Sequence, residues 1–110
     1  MVSAAVPRRG EIWLVNLDPT IGSEIKKSRP CVVVSPQEMG SLRTVLIAPM
    51  TSKGFPAPFR VRLTHAGVKG LILLDQTRAV DKVRLIRKLG AVSAETLSTT
   101  LKTLQEIFTE

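Results

Sequence analysis

The chain has 110 residues, room for one domain spanning 1–110, and 44% of them are hydrophobic. With both signs of charge mixed along it, that composition excludes a disordered tail and leaves one modest core. The 16 Lys and Arg against 9 Asp and Glu give a net charge of +7, a field that favours polyanions, of which nucleic acid is the commonest.

No export or membrane signal is evident in the sequence. The apolar run at residues 2–6 is interrupted by Ser3 and is shorter than the core of a signal peptide. The aliphatic stretches at residues 31–34 and 71–74 are far too short to span a bilayer. A single cysteine, Cys31, cannot form an internal disulfide and suits a reducing cytoplasm.

In chain order, residues 11–17 cluster β-branched and aromatic side chains and predict a strand with Trp13 in the core. Asp18-Pro19-Thr20 breaks it, because proline removes a ladder donor. Residues 22–28, which carry Glu24, Lys26 and Lys27, read as an exposed loop. Cys31-Val32-Val33-Val34 predicts a strand covered on both faces, and Thr44-Val45-Leu46-Ile47-Ala48 another. One glycine and two prolines between Thr51 and Pro58 predict a loop. Phe59-Arg60-Val61-Arg62-Leu63 alternates, with both arginines turned from the buried face.

Further along, residues 71–74 and 77–80 continue the strand reading, and Gly67 and Gly70 flank the turn before them. Only the C-terminus changes period. Leu97, Leu101, Leu104 and Phe108 form one helical stripe, with Ser93 as N-cap and Glu95 in the first turn. Many short strands closed by one helix predict a mainly β fold, a small barrel with a packed C-terminal helix.

The residue inventory restricts the chemistry. The one histidine, His65, lies in a turn-like segment and reads as a solvated surface residue, so a two-histidine scheme is unavailable within one chain. Cys31 sits in an apolar strand, where a small hydrophobe is expected. No paired-cysteine or His-plus-carboxylate spacing predicts a metal or other cofactor, and no glycine loop leads a strand into a helix to cradle phosphate. What remains is arginines, carboxylates, hydroxyls and backbone donors. That set suits RNA cleavage, because the nucleophile, the 2′-hydroxyl, belongs to the substrate.

Three collinear stretches then point to a family. Gly10-Glu11-Ile12-Trp13 leads through Asp18-Pro19-Thr20 and Gly22-Ser23-Glu24 to Arg29-Pro30 and a valine strand. Ala48-Pro49-Met50-Thr51-Ser52 follows, and then Asp75-Gln76-Thr77-Arg78-Ala79-Val80-Asp81. In this order the chain resembles the MazF/PemK (Kid-like) toxin endoribonucleases of type II toxin–antitoxin systems. The resemblance implies an SH3-like, PemK-like barrel and a cytoplasmic homodimer. It also implies metal-independent cleavage of single-stranded mRNA at a short sequence, and an acidic antitoxin bound over the RNA groove.

By the same likeness Arg29 and Thr51 match the family's catalytic arginine and its hydroxyl partner, and Glu24 a carboxylate implicated in some members. Asp75 and Arg78 match the family's acidic–Gln–x–Arg segment. The chain departs from some relatives in having Ser23 in place of histidine and Leu73 in place of arginine. These departures favour Arg29, Thr51 and Glu24 as the catalytic set. Ser52, Lys53, Phe55, Arg60, Arg62, Asp75, Gln76 and Arg78 are then expected to bind substrate, with Lys53, Arg60 and Arg62 on phosphate and Phe55 stacking on a base. Two other functions fit a basic barrel: binding nucleic acid without cutting it, or acting on gyrase as CcdB-like toxins do. The latter depends on a tryptophan-containing C-terminal tail, whereas the only tryptophan here is Trp13.

Overall fold

The computed structural model of the chain describes residues 6–24 and 27–110. The fold is mostly β, a strongly curled half-barrel sheet with one C-terminal helix. Its strands are β1 (Glu11–Asn16), β2 (Ser28–Val33), β3 (Thr44–Thr51), β4 (Arg60–His65), β5 (Val68–Leu73), β6 (Arg78–Asp81) and β7 (Leu85–Ala91), and α1 spans Ala94–Ile107. The sheet runs β4-β5-β3-β2-β1-β7, with β6 pairing beside β5 on the long strand β3. The early apolar run lies outside the described residues except for Val6, as do Ile25 and Lys26 of the polar loop.

The central strands are buried on both faces, as their continuous apolar runs predict. One face gathers Ile12, Val32, Val34, Ala48, Met50, Val61 and Ile72, closed over by Leu104 and Ile107 of α1. The other gathers Trp13, Val15, Cys31, Val33, Val45, Ile47 and Val80. Successive residues therefore serve opposite cores, in the period-two alternation of a pleated strand. Each fully buried Val or Ile contributes about 1.5–3 kcal/mol relative to exposure, so β1 to β3 form the rigid centre. Cys31 is fully buried there, and desolvation pushes its thiol up to about 12, which leaves it packing material.

Four expectations change. Phe59 lies outside β4 with φ +67 and is 39% exposed, so the alternation begins at Arg60. Gly70 does not flank a turn: it lies within β5, and the turn is Ala66-Gly67. A β-carbon at position 70 would stand 2.8 Å from the Thr51 carbonyl oxygen, so glycine lets β5 close on the end of β3. Residues 85–91, not read as a strand, form β7, which pairs with β1 across two register shifts. Finally, α1 ends at Ile107, where the apolar stripe closes, and Phe108 is 83% exposed. Ser93 caps the helix as expected, its Oγ accepting the Thr96 N–H at 3.1 Å.

Candidate active site

The pairing of β2 with β3 assembles the site. Cys31 faces Pro49, Val32 faces Ala48 and Val33 faces Ile47. Arg29 precedes Cys31 by two residues on β2 and Thr51 follows Pro49 by two on β3, so both stand near neighbouring strand ends. Both side chains open on a cleft of about 270 Å³, which Ser52, His65 and Lys69 also line. An adjoining cavity of about 570 Å³ shares Thr51, Ser52 and Lys69 and continues to Arg62 and Pro56. Together they form a groove whose walls carry Arg29, Arg62 and Lys69 and, among the described residues, no carboxylate.

Thr51 ends β3 half-buried, and its hydroxyl oxygen accepts the Lys53 N–H at 3.1 Å. That local bond is the one a strand-end threonine commonly makes. It orients the oxygen and leaves the hydroxyl proton to donate. Two glycines hold the geometry: a β-carbon at Gly54 would lie 2.8 Å from Thr51 Cγ2, and one at Gly70 would press on its carbonyl.

The remaining expected residues fall into two other groups. Glu24, Asp75, Gln76 and Arg78 line a separate cavity of about 220 Å³ beside Pro49. There the Glu24 carboxylate accepts the Ile21 N–H at 2.8 Å, and Arg78 donates to the Leu17 carbonyl at 3.4 Å. The structure thus places Glu24 with the acidic–Gln–x–Arg segment, while Arg29 and Thr51 line the other cleft.

Arg60, Asp75 and Phe55 form the second group. Arg60 binds both carboxylate oxygens of Asp75 at 3.1 Å and donates to the Phe55 carbonyl at 3.2 Å. Its guanidinium carbon stands 4.8 Å from the centre of the Phe55 ring. The charge expected on phosphate is therefore committed to holding the Thr51–Pro58 loop, and the 70% exposed Phe55 rests on it. Arg62, by contrast, is exposed in the groove.

One residue of the cleft escaped the sequence reading. His65 is not a solvated turn residue but the half-buried last residue of β4, paired with Val68. A β-carbon at Gly90 of β7 would be 3.1 Å from its Cε1. The curl of the sheet brings the outermost strands β4 and β7 together there, so no local signal could have announced it.

A small curled sheet with a cationic groove, and an arginine and a threonine lining one end of it, is a barrel suited to a polyanion. The family model for PemK-like, MazF-like toxins of type II toxin–antitoxin systems matches residues 8–108, and the chain belongs to that family. It is 37% identical over 108 residues to the endoribonuclease PemK of Escherichia coli, covering 92% of this chain and 81% of that protein. The crystal structure of MazF from Deinococcus radiodurans superposes with a TM-score of 0.81 at 31% identity, covering 93% of this chain and 96% of that one. MazF in a MazE–MazF crystal structure from the same organism is similar, with a TM-score of 0.75 at 28% identity, covering 93% and 94%.

Proposed function

We propose that this chain is a toxin endoribonuclease that cuts single-stranded mRNA in the cytoplasm at a short specific sequence, by attack of the ribose 2′-hydroxyl on the adjacent phosphate. The observation that carries the reading is that Arg29 and Thr51 line one cleft at the end of a groove whose walls carry cations. The planar Arg29 guanidinium matches a phosphate whose charge grows in the transition state, where a pre-set donor is worth most. The Thr51 hydroxyl orients a phosphate oxygen beside it. Ser52, Lys53 and Arg62 bind the flanking chain, and Phe55, backed by Arg60 and Asp75, stacks on a base. Glu24, Gln76 and Arg78 border the route of the RNA at the neighbouring cavity.

The chain acts as a homodimer, and an acidic antitoxin covers the groove. Support for the first lies in apolar side chains left in solvent, Val83 87% and Phe108 83% exposed, and for the second in the groove's wall, whose arginines and lysine face no carboxylate among the described lining residues. The name of the Escherichia coli relative and the MazE–MazF complex fit both the reaction and the partner.

The test is incubation with a long defined RNA in the presence of a chelator, read by primer extension. Discrete cuts at one short word are expected, each leaving a 2′,3′-cyclic phosphate or 3′-phosphate and a 5′-hydroxyl. A single deoxyribose at the cut site should abolish the reaction. Binding without cutting would leave only a nucleic-acid-binding barrel, and cutting at the deoxyribose or only with magnesium would overturn the mechanism.

A further inference from the structure

Cleavage by the 2′-hydroxyl requires that its proton go somewhere, and the cleft limits the acceptors. Around Arg29 and Thr51 the wall holds a second cation, Lys69, the hydroxyl of Ser52, the imidazole of His65, and otherwise apolar residues or glycine. Arginine and lysine are donors only when charged, and serine and threonine hydroxyls are poor bases. Among the described residues of this wall, only the His65 imidazole carries, when neutral, a nitrogen lone pair that can accept a proton. Its ring lies beside Gly90 of β7, where a β-carbon would stand 3.1 Å from Cε1 and 3.9 Å from Nδ1, so glycine leaves the imidazole room at the mouth between β4 and β7. The charged groups facing it are Arg29 of β2 and Lys69 of β5, while on β7 Lys88 is held by Glu11 at 2.9 Å. Neither carboxylate of the neighbouring cavity, Glu24 or Asp75, lines this cleft.

We propose that His65 is the general base of the reaction, a role that rests on the RNA-cleaving reading of the same cleft. A neutral ring nitrogen of His65 takes the 2′-hydroxyl proton as the bond from O2′ to phosphorus forms. The bond from phosphorus to O5′ breaks, and that oxygen leaves with a proton drawn from water while Arg29 offsets the charge on the phosphate. The cations of the cleft can stabilise the leaving oxygen, but they cannot accept the first proton, and this assigns His65 to the attack and not to the departure.

The test is single-turnover cleavage at saturating enzyme between pH 5 and 8.5, for the native protein, His65→Gln, His65→Ala and Glu24→Gln. A lost general base slows the reaction by about 10²–10⁴-fold. His65→Gln should fall by that factor, lose the rise of rate with pH, and still bind a deoxyribose-blocked RNA and melt as the native protein does. Added imidazole should restore part of the rate of His65→Ala, which a merely structural role would not allow. An RNA with a 5′-sulfur leaving group, which needs no proton to depart, should not rescue His65→Gln. Rescue by that substrate would make His65 the acid and overturn the proposal. A normal rate and pH profile in His65→Gln, with Glu24→Gln taking the loss, would overturn it in favour of the carboxylate. If the native protein cuts no RNA, the reading of the cleft fails and the base falls with it.

Discussion

At the scale of single residues, Arg29 and Arg60 show how two guanidiniums in one small domain come to differ in use. Arg60 is closed into an ion pair with Asp75 and a stack with Phe55, with its side chain 14% exposed. Arg29 is exposed and lines the cleft together with Thr51. If Arg29 binds charge that develops only in the transition state, Arg29→Ala should slow single-turnover cleavage by about 10²–10³-fold. Affinity for a deoxyribose-blocked RNA should change far less, because that ligand never reaches the charge-rich state. Arg29→Lys should restore little, since a point charge does not reproduce the planar fork. Normal cleavage by Arg29→Ala at saturation would reduce Arg29 to a phosphate contact.

At the scale of elements, the sheet depends on joints between strands far apart in sequence, and the joint of β1 to β7 is electrostatic. Glu11 accepts the Trp13 indole N–H at 3.0 Å and the Arg8 N–H at 2.8 Å, and pairs with Lys88 of β7. Partial burial pushes its carboxyl up, but these hydrogen bonds outweigh that and hold it below its ordinary value of 4.5. A carboxylate with a lowered folded pKa contributes stability that is full above the unfolded value and is lost as pH falls through the folded one. The native protein should therefore exceed Glu11→Gln in urea midpoint at pH 7, and the gap should narrow as the pH falls below 4.5. A gap independent of pH would mean that the glutamine merely packs badly. The same joint explains what the sequence reveals and what it hides. Strands β1 to β3 and α1 are legible because their apolar periods are local. In contrast, β7 carries Arg87 and Lys88 within an irregular apolar pattern and becomes a strand through its pairing with β1. Arg29 and Thr51 are singled out by family likeness, but that they line one cleft follows only from how β2, β3, β4 and β5 fold together. Gly70 looked like a turn residue because only the folded sheet brings Thr51 against it, and His65 looked like a surface residue because only barrel curl brings Gly90 to it.

At the scale of the whole molecule, a net charge of +7 is a statement about partners only if the charge is placed. Arg29, Arg62 and Lys69 share the groove walls, whereas Lys102 stands exposed on α1 and belongs to neither groove cavity. Single-stranded nucleic acid releases counterions to each cation that meets a phosphate, so log affinity falls with log salt by about 0.7 per contact. Arg62→Ala and Lys69→Ala should each shallow that slope by about 0.7, while Lys102→Ala should leave it unchanged although it removes the same formal charge. The measurement is binding of a deoxyribose-blocked single-stranded RNA by fluorescence anisotropy across a salt series. Equal flattening by all three variants would mean that RNA responds to the total charge, and the groove would lose its claim as the path of the strand. A flattening confined to Arg62 and Lys69 would instead trace that path along β4 and β5 toward Thr51 at the end of β3, the place proposed for the cut.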